Sequence, residues 1–367
     1  MNRFFTLIVV LLLAHGVQAG CLDQPRLRGV NLAGAEFGHT TLPGKVFTDY
    51  TYPSEAEIIY IAEQGANIIR FPFLWERVQA APNGELNKTE LNYLRVAIDR
   101  AKANGLCVLL DVHNYAEYYD NKLTDTLAGD VVLEQAFINF WIALATEFPD
   151  ADNVILGLMN EPAHISIAEW AAIAKRTVLA LREAKVDHMI FVAGGGWSGL
   201  HDWFAGAEAS NASHFQDLTD PLKRTVIEVH QYTNENYSGM HESITSTDCR
   251  PADEFNSKFE RIRQWALEHE QQLFLGEFGV PQSNNCLETL TRFVELMDAD
   301  GWRGWTYWAS GSWWGNYALA LNGPSKPDVP QWPILKAHFF RNQNNQTSEN
   351  QNFSSASTLQ APNATSH

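Results

Sequence analysis

Between residues 27 and 340 the chain repeats one pattern: a short apolar run, a polar turn, then an amphipathic stretch with helical spacing. The apolar runs are LRGVNLAG at 27–34, ANIIRFPF at 66–73, LCVLLDVHN at 106–114 and NVILGLMNEP at 153–162. HMIFVAGGG at 188–196, TVIEVHQY at 225–232, QLFLGEFG at 272–279 and RGWTYWAS at 303–310 follow. Runs that are apolar on both faces read as buried parallel strands. SEAEIIYIAEQG, ELNYLRVAIDRAKANG, EQAFINFWIALATEF and SIAEWAAIAKRTVLALREAK read as helices, as do FNSKFERIRQWALEHE, LETLTRFVELMDADG and WPILKAHFF. The connection through HDWFAG, after the fifth run, carries the weakest helical signal. Eight such units predict an α/β fold, a (β/α)8 barrel forming a single catalytic domain over 20–340. A doubly wound open sheet would want G-x-G-x-x-G after the first strand, and NLAGAEFG does not supply it.

The two ends depart from this pattern. Arg3, the short apolar core FFTLIVVLLLA and the small residues around Ala19 read as a signal peptide over 1–19. The apolar stretch is too short for a comfortable membrane span, so the expectation is a secreted protein, extracellular or periplasmic in a Gram-negative cell, without a membrane partner. Residues 341–367 are rich in Asn, Gln and Ser and poor in core formers, which predicts a disordered polar tail. Loss of Arg3 with the leader takes the formal charge from −17 to −18. An acidic, aromatic-rich chain with no basic stretch argues against nucleic acid and fits a neutral partner. A monomer is expected.

Four cysteines are too few for a disulfide scaffold. Cys107, inside LCVLLDV, reads as a buried free thiol, and Cys21 has no evident partner. Cys249 and Cys286 fall in polar sequence after the sixth and seventh strands and are the plausible pair. Closing that loop would stabilise by about 3–4 kcal/mol in the chain-entropy model.

In a (β/α)8 barrel the site is built at the C-terminal ends of the strands. Those ends carry Asn31, Arg70, His113 with Asn114, Asn160 with Glu161, Trp197, His230 with Tyr232, Glu277, and Trp308. A carboxylate at the end of a core strand is poorly solvated and is rarely there for stability. Two of them, Glu161 in LMNEP and Glu277 in GEFG, have the character of the paired acids of glycoside hydrolysis. Arg70 can reach the strand-seven carboxylate and keep it ionised, and Tyr232 can donate to it. Glu277 then suits the nucleophile and Glu161 the acid and base. Asn160 can hold a sugar 2-hydroxyl, and His113 and His230 are read as neutral hydrogen-bonding groups. Trp197, Trp203, Trp308, Trp313 and Trp314 crowd into Gly- and Ser-rich sequence, as exposed stacking platforms for sugar would. Asp111, His113 and His230 could suggest a metal site, but the spacing of a metal motif is missing, so neither metal nor cofactor is expected.

Taken in order, IIRFPF, DVHNY, LMNEP, VHQY, GEFG and YWASGSWW resemble glycoside hydrolase family 5, and within it the endo-acting cellulases of fungal and bacterial type. The resemblance covers residues 27 to about 340. It implies retaining cleavage of internal β-1,4-glucosidic bonds in a β-glucan polysaccharide without a cofactor. Glu161 matches the acid/base position and Glu277 the nucleophile, with Arg70, His113, Asn160, His230, Tyr232 and Trp308 in supporting positions. Asn114, Trp197 and Trp313 join the expected substrate-binding set, and Cys249 with Cys286 matches a loop disulfide of relatives. GEFGV departs from the family, since many relatives carry a threonine and further glycines there. Mixed-linkage glucan, xyloglucan, mannan and xylan remain open, because the same acids serve all of them and subsite loops decide.

Overall fold

The computed structural model describes residues 20–339, so the expected leader and the tail over 341–367 lie outside the described residues. Eight parallel strands close a barrel: β1 (Leu27–Leu32), β2 (Ile68–Phe73), β3 (Cys107–Val112), β4 (Val154–Gly157), β5 (Met189–Ala193), β6 (Thr225–His230), β7 (Leu273–Glu277) and β8 (Trp302–Ser310). Each pairs with its sequence neighbour, and β1 pairs with β8. Every expected strand is present, most ending two or more residues short of the apolar run, where the chain turns into the loops of the upper face.

The helices form where caps and amphipathic faces coincide. α1 (Glu55–Glu63) starts at a capping box between Ser54 and Glu57. α2 (Lys88–Ala103) starts at Asn87, whose side chain accepts from the amides of Thr89 and Glu90. α3 (Leu133–Glu147) and α4 (Ile167–Glu183) follow, the latter with a second capping box between Ser166 and Glu169. The weak fifth connection contains only the short α5 (Asn211–Phe215) beside a 3-10 turn. α6 (Asn256–Glu268), α7 (Asn284–Leu296) and a last helix over 331–339 complete the ring. Two small hairpins over 117–132 project after β3.

The barrel interior is layered, and the layering positions the site. Leu27, Ile68, Leu109, Ile155, Phe191, Val226 and Phe274 form one apolar cluster with Cys21 and Cys107. Two residues further along four of these strands stand Arg70, Asp111, Glu228 and Gly276. Alternation with period two keeps them on the same inward face. An apolar floor therefore carries a polar upper layer.

Below that floor the structure corrects the reading of two cysteines. Cys21 and Cys107 form a disulfide, with Cα atoms 5.8 Å apart. Cys21 is fully buried, and its amide donates to the carbonyl of Asp152 at the base of β4. The segment before β1 thus crosses the bottom of the barrel to reach the start of β3. Cys249 and Cys286 are bonded as expected, although Cys286 lies in the first turn of α7, not in a loop.

Candidate active site

Arg70 organises the polar layer. Its guanidinium is fully buried, and Nη1 donates to Glu277 Oε1 at 2.9 Å and to Asn31 Oδ1 at 2.8 Å. Nη2 donates to Asn160 Oδ1 at 2.7 Å and lies 3.2 Å from Asp111 Oδ1. Nε sits 2.9 Å from Glu228 Oε1, in an ion-pair contact too poorly aligned for a good hydrogen bond. Burial opposes a charge here, but Asp111, Glu228 and Glu277 outweigh it and hold the guanidinium firmly protonated.

Glu277 is the end of β7 and accepts from both sides, from Arg70 and from Tyr232 Oη at 2.7 Å. Burial pushes its carboxyl up. His230, then Arg70 and His113, more than offset that, so Glu277 is held below the ordinary carboxylate range. Glu161 is the contrasting case. Burial, reinforced by Glu277, lifts its carboxyl above the ordinary range despite a 2.7 Å bond between its Oε1 and His230 Nδ1. Its side chain keeps 16% of its surface open to the cleft. Its backbone is left-handed (φ 41°), a conformation that costs a non-glycine residue energy and is found where surrounding structure imposes it.

His230 is not the neutral group expected from the sequence. Nδ1 faces Glu161 and, at 3.7 Å, Glu277, while Nε2 faces Glu228 at 3.1 Å. Burial disfavours the imidazolium, but these three acids push its pKa up to about 10, so the ring carries both protons. A register irregularity between Val229 and His230 sets His230 directly opposite Glu277 in the sheet. His113 fits the neutral reading better. Its Nδ1 bonds Asp111 Oδ2 at 2.8 Å, and its Nε2 lies 3.2 Å from the Asn160 amide nitrogen. Asn160 gives its oxygen to Arg70, so its nitrogen must donate and Nε2 must accept. That fixes the tautomer, although Asp111 draws the ring's pKa upward against the effect of burial.

Carboxylate oxygens of Glu161 and Glu277 and a ring nitrogen of His230 all lie within 4.8 Å of one another. Trp308 walls the same space, stacked on His113 with ring centres 5.6 Å apart. Trp197 is 53% exposed and leans on Tyr115 and His164. Trp313 is exposed on the loop after β8. Two expected residues do not face the cleft. Asn114 is buried with both ends of its amide engaged, by the Trp75 amide and by Glu76, so it braces the loop after β3. Trp203 is fully buried and packs so closely on the strand-five turn that a Cβ at Gly194 would lie 2.4 Å from its ring.

Sequence reading missed Glu228 and Glu36. Glu228 shares the inward face with His230, two residues on, and a charged residue inside VIEVH was a usable signal. Arg70, with His230 assisting, holds its carboxylate below the ordinary range against burial. Glu36, on the loop after β1, is buried with Oε2 accepting from the Gly34 amide at 2.7 Å and Oε1 without a hydrogen-bond partner. Burial pushes its pKa up to about 7, and His113 pulls the other way. Nothing in the local pattern of NLAGAEFG marks that burial.

A parallel barrel whose upper rim sets two carboxyls side by side, one raised by burial and the other held low by neighbouring cations, has the paired acids of a hydrolase of glycosidic bonds. The chain belongs to glycosyl hydrolase family 5, the cellulase family, which it matches over residues 30–315. Endoglucanase 1 of Robillarda sp. (strain Y-20) is 31% identical over 309 residues, 78% of each chain. The crystal structure of an endo-beta-1,4-glucanase from Xanthomonas axonopodis pv. citri superposes with a TM-score of 0.80 at 35% identity, covering 86% of this chain and 99% of its own. Pseudomonas stutzeri endoglucanase Cel5A, solved in complex with cellobiose, gives a TM-score of 0.76 at 31% identity over 85% of this chain and 92% of its own.

Proposed function

We propose that the protein is a retaining endo-β-1,4-glucanase. The observation that carries this reading is the close approach of Glu161 and Glu277, within 4.8 Å, with their carboxyls driven in opposite directions. Retaining enzymes hold the two groups about 5–5.5 Å apart, whereas inverting enzymes leave room for an intervening water. Glu277, ionised by His230 and Arg70 and oriented by Tyr232, attacks the anomeric carbon. Glu161 passes its proton to the departing glycosidic oxygen as that carbon–oxygen bond breaks, leaving a sugar ester on Glu277. Water then attacks the same carbon, Glu161 takes the water's proton, and the Glu277 carboxylate is released. His230 holds Glu161 through Oε1, which leaves Oε2 for the leaving group. Asn160, fixed between Arg70 and His113, is suited to the 2-hydroxyl of the sugar over Glu277, and Trp308 to its apolar face.

β-1,4-Glucan is the substrate favoured, since the relatives compared above are named endoglucanases. The protein acts as a monomer outside the cytoplasm. Two disulfides support that location, and among the described residues no helix is long and apolar enough to cross a membrane. Viscosity of carboxymethyl cellulose should fall well before much reducing sugar accumulates. Release of glucose alone, or faster cleavage of mannan or xylan than of glucan, would contradict the reading.

A further inference from the structure

Tyr232 orients Glu277, and the segment that follows β6 holds Tyr232. On the rim its ring clusters with Ala33, Trp308 and Leu319. Gly239 closes on the same ring: a Cβ there would lie 2.6 Å from Tyr232 Cδ1 and 2.7 Å from Cε1. Gly239 is also left-handed, at φ 71°, so both the approach and the conformation require glycine. The backbone of this loop therefore lies directly against the ring whose hydroxyl donates to Glu277 Oε2.

Asn234 sets the path of that loop. It is buried, and its Oδ1 accepts from the Gly239 amide at 2.9 Å. Its Nδ2 donates among Asn236 Oδ1 at 2.7 Å, Ser238 Oγ at 3.0 Å and the Met240 carbonyl at 3.3 Å. A buried amide with both ends engaged rigidifies the segment it binds, here residues 236–240. The ends of the loop are tied as well. The Arg250 amide donates to the Thr233 carbonyl at 2.8 Å, Thr233 Oγ1 meets Cys249 Sγ at 3.1 Å, and Cys249 is bonded to Cys286 in α7.

We propose that Asn234 and Gly239 are positioning residues for the nucleophile, pressing the Tyr232 ring into the place from which its hydroxyl reaches Glu277. The inference rests on the proposed function, which gives Glu277 the attack. A hydrogen bond to the ionised carboxyl favours that form. The other groups facing Glu277 stand outside this loop: Arg70 on β2, His113 at the end of β3, Glu161 after β4, and Glu228 and His230 on β6. Tyr115 and Tyr317 face it from the loops after β3 and β8. Displacing Tyr232 through its loop therefore removes one donor from Glu277 and leaves these groups in place.

The test reads the acidic limb of kcat/KM for a dinitrophenyl cellobioside, whose first step needs no acid and so reports on Glu277. Gly239→Ala and Asn234→Ala should each move that limb up by about one pH unit, as loss of a hydrogen bond to a charged group would. kcat should fall about tenfold with the lost orientation. Tyr232→Phe should move the limb equally, and adding Gly239→Ala to Tyr232→Phe should move it no further. A role in the fold alone would lower the melting temperature and leave the limb where it is. That result overturns the proposal, and so do additive shifts in the double variant. If Gly239→Ala does not fold, Asn234→Ala, which introduces no clash, decides by the same limb. If the unaltered enzyme cleaves neither glucan nor the aryl cellobioside, the proposed function fails first. If it cleaves them and the limb does not move, only the positioning role fails.

Discussion

Gly276 and Glu228 fit together only because Gly276 has no side chain: a Cβ there would lie 2.0 Å from Glu228 Oε1. That oxygen also faces Arg70 Nε and His230 Nε2, so the glycine of GEFG makes room for the acid that anchors two groups touching Glu277 and Glu161. The carbonyl of Gly276 in turn accepts from Asn31, which binds Arg70.

Gly276→Ala should therefore damage the site without touching an acid that does chemistry. Overpacking costs about 1–3 kcal/mol, so the midpoint of thermal unfolding should fall by several degrees. Turnover should fall further than that loss explains, because Glu228 must leave His230. Unaltered kcat in a folded Gly276→Ala protein would show that Glu228 is dispensable.

The pH profile follows from the opposite directions of the two acids. Glu277 is held below the ordinary range, so the acidic limb lies low and the rate on glucan is lost only as pH falls through that depressed value. Glu161 is raised, so the rate is lost as pH climbs through that raised value and its carboxyl gives up the proton the leaving group needs. kcat/KM on cellohexaose should be bell-shaped, with limbs belonging to the coupled group. With a dinitrophenyl cellobioside, whose leaving group needs no proton, the alkaline limb should flatten while the acidic limb stays. Identical alkaline limbs on both substrates would remove Glu161 as the acid. Arg70→Lys, which cannot reach Glu277, Glu228 and Asp111 together, should move the acidic limb upward and lower kcat.

Removing the disulfide under the barrel should affect stability alone. Cys21 and Cys107 are 86 positions apart and lie on the face opposite Glu161 and Glu277. In the chain-entropy model a loop of that size contributes about 4.6 kcal/mol. Cys21→Ala/Cys107→Ala should unfold at a clearly lower temperature with kcat intact. Equal melting temperatures in the double variant and the parent, under oxidising conditions, would contradict the bond's role.

Much of this architecture was legible because a parallel barrel converts sequence order into space. Strand ends converge on one rim, so Arg70, His113, Asn160, Glu161, His230, Tyr232 and Glu277 could be gathered without coordinates. What escaped depends on contacts between distant segments. Cys21 meets Cys107 because the segment before β1 crosses the barrel floor, which no local pattern encodes. Trp203 reads like Trp197 in sequence, yet one fills a gap beside Gly194 and the other faces solvent. The charge on His230 comes from three acids, Glu228 on β6, Glu277 on β7 and Glu161 on the turn after β4. Glu228 was the avoidable omission, since period-two alternation from His230 points to it.

The division of labour between Glu161 and Glu277 is tested most directly by the anomer of the product formed when azide rescues Glu161→Ala. A dinitrophenyl cellobioside should still load Glu277, because its leaving group needs no acid, and hydrolysis of the ester should stall without the base. Azide attacks without a base, so turnover should recover and the product should be the β-glycosyl azide. Glu277→Ala cannot form the ester, and azide filling its space should give the α-glycosyl azide. An α product from Glu161→Ala, or a β product from Glu277→Ala, would contradict the assignment of acid and nucleophile.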